Sequence, residues 1–99
     1  MVGTIEHVYE VQICGCDYDG NGEPVGDLVP VRQYEYHSYE DAKALVENKH
    51  PRSWLHYELE AGTNGLDVCI IDRTFVDDDE MEFEVVDDWV CYGVTLCKG

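Results

Sequence analysis

The sequence contains very little positive charge. Six lysine and arginine residues stand against 22 aspartate and glutamate residues, which gives a formal net charge of −16 at pH 7. Nucleic-acid binding needs lysine and arginine to displace counterions from phosphates, so this composition argues against direct binding to nucleic acid. Anionic membrane surfaces repel the chain for the same reason. The expected partners are therefore cations, metal ions or basic protein surfaces.

Export signals and catalytic motifs are also missing. Residues 1–7 lack the basic and apolar regions of a secretory signal, and no apolar run approaches the roughly 20 residues that span a bilayer. The five cysteines are an odd number without a disulfide-framework spacing, which favours a reducing compartment. There is no Gly-x-Ser-x-Gly, P-loop or HExxH pattern. We therefore expect a cytoplasmic protein that is not an enzyme.

The apolar content supports one small folded domain. The chain has 99 residues, of which 44% are hydrophobic, so residues 1–99 have material for a single modest core. Alternating apolar residues and turn signals predict six strands: Ile5–Cys14, Leu28–His37, Trp54–Glu60, Leu66–Asp72, Met81–Val86 and Trp89–Cys97. The segment 62–65 reads as a hairpin loop between the third and fourth strands.

One helix is expected after the second strand. Ser38 is the candidate N-cap, and the acids that follow it suit the start of a helix. Ala42, Leu45 and Val46 supply an apolar stripe, and Pro51 is expected to end the helix. The order ββαββββ predicts an α+β fold, with a mostly antiparallel sheet of about five or six strands and one helix packed on one face.

The acids are densest near the end of the chain. Glu82 and Glu84 alternate with apolar neighbours, so both carboxylates are expected on one face of a strand. Such a line of carboxylates is a possible imitation of a phosphate backbone. The alternative is a solvated face that keeps an edge strand from aggregating. The predicted partner-binding residues are Asp77, Asp78, Asp79, Glu80, Glu82, Glu84, Asp87 and Asp88.

In size, charge and this acidic run, the sequence resembles the small acidic inhibitors that imitate DNA. Phage anti-CRISPR proteins, uracil-DNA glycosylase inhibitors and anti-restriction proteins belong to that class. The resemblance includes no alignable motif, so it assigns no role to an individual residue. It implies a phage-encoded protein, acting in the host cytoplasm, that occupies the nucleic-acid-binding surface of a nuclease or otherwise blocks DNA loading.

Cysteines suggest a second kind of site. On the predicted strands Cys14, Cys16 and Cys91 lie opposite the apolar faces, and two cysteines at i and i+2 can both reach one tetrahedral ion. We therefore predict a zinc site with these three ligands. The alternative is that the thiols act as small apolar side chains.

Asp17–Glu23 matches the first half of an EF-hand calcium loop. The second half fails, because Leu28 occupies the position of the bidentate glutamate and the flanking segments are predicted strands. We expect an acidic connecting loop and no calcium binding.

The sequence thus favours an acidic binding protein that inhibits a nucleic-acid-processing enzyme, such as a CRISPR effector nuclease. An immunity protein or antitoxin for a basic nuclease toxin would share this physical chemistry. A small zinc-stabilised structural or adaptor domain is the alternative from another class.

Overall fold

A computed structural model describes residues 3–92 and 95–98. The elements in chain order are β1 (Ile5–Tyr18), β2 (Pro24–Tyr36), α1 (Tyr39–Glu47), α2 (Pro51–Ala61), β3 (Gly65–Val76), β4 (Asp79–Tyr92) and β5 (Thr95–Lys98). The strands form one sheet in the order β2-β1-β3-β4-β5, and all neighbouring strands are antiparallel. The predicted α+β class with an antiparallel sheet is confirmed. The order of elements is ββααβββ.

The core lies between the sheet and the two helices. Val11 and Ile13 of β1 are opposite Ile70 and Val68 of β3, and these side chains are fully buried. Burying each one stabilises the fold by roughly 1.5–3 kcal/mol. We call this side of the sheet the helix face, and the opposite side the open face. The buried core consists of Val11, Ile13, Ala42, Val46, Trp54, Tyr57, Leu66, Val68, Ile70, Trp89 and Cys91.

The first helix begins where the sequence predicts. The side chain of Ser38 accepts a hydrogen bond from the backbone N–H of Asp41, as an N-cap does. Ala42 and Val46 are buried against the sheet. The helix ends at Glu47, before Pro51.

The predicted strand over Trp54–Glu60 is wrong, because this segment lies in a second helix. Pro51 begins that helix, at a position where its missing N–H costs nothing. Trp54 and Tyr57 are buried at helical spacing, whereas Leu59 is exposed. Gly62 ends the helix with a φ of 74°, so segment 62–65 is a helix cap and a connection, not a hairpin loop.

The last two predicted strands also differ from the structure. Met81–Val86 and the start of Trp89–Cys97 belong to one continuous strand, β4, because Asp87 and Asp88 remain paired with β3. The predicted sixth strand ran through residues 93 and 94, which lie outside the described residues. Within the described part of the chain, neither helix has the length and apolar character needed to cross a bilayer.

Candidate functional site

The predicted acidic segment forms the tip and second strand of the β3–β4 hairpin. Val76 pairs with Asp79, so Asp77 and Asp78 make a two-residue turn. Both have positive φ, 52° and 71°, as a type I′ turn requires. The Asp77 backbone N–H donates to the Thr4 carbonyl at 3.1 Å, and Asp77 Oδ1 accepts from the Thr4 N–H at 3.1 Å. These two bonds fix the turn against the start of β1.

Glu82 and Glu84 share one face of β4. They are opposite Thr74 and Asp72 of β3, and no irregularity interrupts the pairing between them. That register places both carboxylates on the helix face, beyond the area covered by the helices. Both side chains are exposed, and neither forms an ion pair with any described residue. The Cα atoms of Glu82 and Glu84 lie about 6.6 Å apart along the strand.

Helix α1 adds further acids to the helix face, and it is connected to β4 through Tyr39. The Tyr39 hydroxyl donates a hydrogen bond to Asp87 Oδ2, which connects the start of α1 to β4. This bond is the largest reason why the pKa of Tyr39 is raised to about 12, and the charges of Glu47 and Glu40 contribute. The pKa of Tyr9 is raised by partial burial, and the charges of Asp72 and Glu40 add to the effect.

We call this surface the acidic face; it consists of Glu40, Glu47, Asp72, Glu82, Glu84 and Asp87. Two cationic or titratable side chains are part of it. His7 Nδ1 lies 2.9 Å from Asp72 Oδ1, and Lys43 Nζ lies 5.9 Å from the centre of the Tyr39 ring. The acids outnumber these partners, so the acidic face keeps a strong negative potential.

Two of the predicted binding residues belong to the open face. Glu80 forms an ion pair with Arg73, whose Nη1 lies 2.8 Å from Glu80 Oε1, and Arg73 Nη2 also lies 2.7 Å from Oε2 of the buried Glu10. Asp88 lies near Asp67, whose pKa is raised to about 7 mainly by burial and also by Asp88. The acidic run therefore divides into three parts: the turn, the acidic face and the open face.

The three predicted zinc ligands are not brought together. Cys14 is opposite Asp67 on the open face, and Cys16 shares that side. Cys91 is opposite Leu66 and lies in the core on the helix face. Across residues 3–92 and 95–98, no group of three or more histidine, cysteine, aspartate and glutamate side chains is placed to hold a metal ion.

The calcium-like loop uses its carboxylates to close a turn. Asp19 Oδ1 accepts from the backbone N–H groups of Asn21 and Glu23, at 2.8 and 3.0 Å. Asp17 Oδ1 accepts from the Asn64 N–H at 3.0 Å, which joins this loop to the start of β3. These aspartates therefore have a structural role in the β1–β2 connection.

Sequence reasoning missed Glu40, Glu47 and Asp72 as parts of the acidic face. Asp72 is opposite Glu84 in the sheet. Glu40 and Glu47 lie near Tyr39, which binds Asp87. The fold creates these relations, and no local spacing indicates them. Comparison with protein-family models, with curated proteins and with solved structures found no match for this chain.

Proposed function

We propose that this chain is an acidic inhibitor of a nucleic-acid-processing enzyme, such as a CRISPR effector nuclease. It acts in the cytoplasm by presenting carboxylates to the enzyme's basic, nucleic-acid-binding surface. It binds neither nucleic acid nor membranes directly, because its own net charge of −16 repels both.

The observation that supports this proposal is the excess of acids over basic side chains on the acidic face. Glu82 and Glu84 are fixed on a paired strand, exposed, and free of ion pairs with the described residues. A face that only had to stay soluble would need fewer acids, since a net charge of about 2–8 in magnitude suffices for a small domain. The excess is instead useful for attracting a positively charged groove over several ångströms.

The position of the turn supports the same proposal. Asp77–Asp79 lie at one end of a molecule that measures 55 × 27 × 21 Å, next to the end of β1 that contains Ile5. The turn is fixed to Thr4 by two hydrogen bonds, so its backbone and the Asp77 carboxylate are held in place before binding. Preorganised charge loses less entropy on association than charge on a mobile loop.

The proposal is tested with purified enzymes. The chain is added to CRISPR effector nucleases, uracil-DNA glycosylases, restriction nucleases and basic nuclease toxins, and cleavage or base removal is measured at low and at high salt. We expect inhibition of at least one enzyme, relieved by salt and by preloading with DNA. Inhibition of a nuclease toxin alone would indicate an immunity protein. No inhibition of any of these enzymes at low salt would overturn the proposal.

A further inference from the structure

Strand β4 has an uncovered edge along most of its length. On its inner side β4 pairs with β3, and on its outer side β5 pairs only with Trp89–Tyr92. Within the described part of the chain, no strand lies beside the outer edge of segment 79–88. This edge presents backbone N–H and C=O groups that can pair with another extended chain.

The side chains of this edge are sorted by type. Phe83 and Val85 are opposite Arg73 and Ile71, so they lie on the open face. Their side chains are 68% and 54% exposed. Glu82 and Glu84 lie on the other side, in the acidic face. The edge therefore offers an apolar stripe on one side and an acidic stripe on the other.

Two irregularities mark the limits of the regular edge. The pairing of β3 with β4 shifts between Thr74 and Phe75, and again between Ile70 and Ile71. Between these shifts, Glu82–Val85 pair without interruption. Next to this stretch Met81, which is 64% exposed, adds a further apolar side chain. The regular stretch is long enough for a short added strand.

The outer edge of β2 is a poorer receptor. Val25, Leu28 and Val29 are exposed there, but Pro30 interrupts the strand and Gly26 has a φ of 78°. Proline cannot donate a ladder hydrogen bond, and a residue with positive φ breaks the regular pleat. Neither feature occurs in Glu82–Val85.

The charge of the edge indicates what kind of strand fits. A second copy of this chain, paired edge to edge, would bring Glu82 and Glu84 close to their counterparts, and like charges across paired strands are destabilising. Two molecules that each have a charge of −16 also repel one another. The complementary occupant is an extended segment in which basic and apolar residues alternate.

We propose that the Glu82–Val85 edge of β4 takes up such a segment of the partner enzyme as an additional strand. Lysine or arginine side chains of the segment lie over Glu82 and Glu84, and its apolar side chains lie over Phe83 and Val85. This inference rests on the proposed function, because it specifies how the basic partner is held. Backbone hydrogen bonds provide affinity, and the two stripes fix register.

The test uses three synthetic peptides of equal charge. The first alternates lysine and valine; the second has proline in place of the central valine; the third has serine in place of every valine. Binding to the full chain is measured by titration, and amide hydrogen exchange of the chain is followed by NMR. We expect the lysine–valine peptide to bind at least about tenfold more tightly than either control, which is about 1.4 kcal/mol. It should also slow exchange within segment 81–86.

Variants of the chain separate strand addition from charge attraction. Phe83→Thr with Val85→Thr should weaken binding of the lysine–valine peptide several-fold, whereas Val25→Thr with Leu28→Thr on the β2 edge should not. Equal binding of all three peptides would overturn strand addition and leave the proposed function intact. Absence of binding by the lysine–valine peptide would also overturn strand addition. If that peptide binds to β4 but no enzyme is inhibited, the proposed function fails and the edge remains a peptide site.

Discussion

Asp67 of β3 and Asp88 of β4 each have a buried carboxylate oxygen, and burial together with the proximity of Asp88 raises the pKa of Asp67. Asp88 is opposite Cys69, so the two aspartates are diagonal neighbours on the open face. In both aspartates the buried oxygen is Oδ1, and it has no hydrogen-bond partner among the described residues. A nearby carboxylate and burial both disfavour the charged form of Asp67, so Asp67 holds its proton to a higher pH than an exposed aspartate does.

The raised pKa of Asp67 makes stability depend on pH. Burial and the proximity of Asp88 raise this pKa to about 7. The folded protein therefore keeps a proton that the unfolded chain releases above about pH 4. The free energy of unfolding contributed by this pair is present at low pH and is lost as pH rises from about 4 to about 7.

Asp67→Asn should remove this dependence. Between pH 5 and pH 8, the free energy of unfolding should fall by about 1–2 kcal/mol less in Asp67→Asn than in the wild type. Urea denaturation at each pH measures this difference. Asp79→Asn also removes one negative charge, but from an exposed position, and serves as the control. Parallel pH profiles for the two variants would contradict a raised pKa of Asp67.

A pair of substitutions tests the helical assignment of segment 51–61. Trp54 is 3% exposed and Leu59 is 73% exposed. Trp54→Ala should lower the free energy of unfolding by about 3–5 kcal/mol, whereas Leu59→Ser should change it by less than about 0.5 kcal/mol. A strand over this segment would place Leu59 among the buried residues, so a large loss for Leu59→Ser would contradict the structure.

The turn of the β3–β4 hairpin gives a third prediction. Asp78 has a φ of 71°, a conformation that glycine adopts without steric cost. Asp78→Gly should raise the free energy of unfolding by about 0.5–1 kcal/mol, measured by denaturation in moderate salt to reduce the effect of the lost charge. Asp79→Gly removes the same charge from a strand position and should be destabilising. If both changes have the same sign, the turn is not left-handed at Asp78.

The thiols should differ strongly in reactivity. Burial raises the pKa of Cys69 to about 12 and that of Cys91 to about 11, and nearby acids add to both shifts. Cys97 is exposed. Brief treatment with iodoacetamide at pH 8, followed by peptide mass spectrometry, should therefore modify Cys97 first, because the thiolate is the reactive form. Fast modification of Cys69 or Cys91 would contradict the structure.

Some parts of this fold were predictable from local patterns. The Ser38 cap and the alternation of Glu82 and Glu84 are local features, and the structure contains both. The second helix was missed because Leu55, Tyr57 and Leu59 alternate like a strand. That pattern conceals the helical spacing of Trp54 and Tyr57, and Pro51 signals the start of a helix as well as the end of one.

The cysteine prediction depended on which face of the last strand packs in the core, and periodicity did not determine that face. Both faces of the last segment contain apolar residues, with Trp89 and Cys91 on one side and Val90 and Tyr92 on the other. Trp89 and Cys91 pack in the core because Trp89 lies opposite the buried Val68 in the β3–β4 register. Register over the whole sheet decides this, and a single-residue shift exchanges the two faces.

The central claim is that the acidic face steers a basic partner. It is tested most directly with an inhibited enzyme, by stopped-flow association rates at several salt concentrations. The two variants are Glu82→Lys/Glu84→Lys and Glu23→Lys/Asp27→Lys. The second pair is exposed at the opposite end of the sheet and changes the net charge equally. Asp17 and Asp19 are unsuitable controls, because they hold the β1–β2 connection.

We expect the wild-type association rate to fall steeply with salt. At low salt, Glu82→Lys/Glu84→Lys should slow association by about tenfold or more, and Glu23→Lys/Asp27→Lys by clearly less. Equal slowing by the two variants, or a wild-type rate that does not depend on salt, would contradict the account.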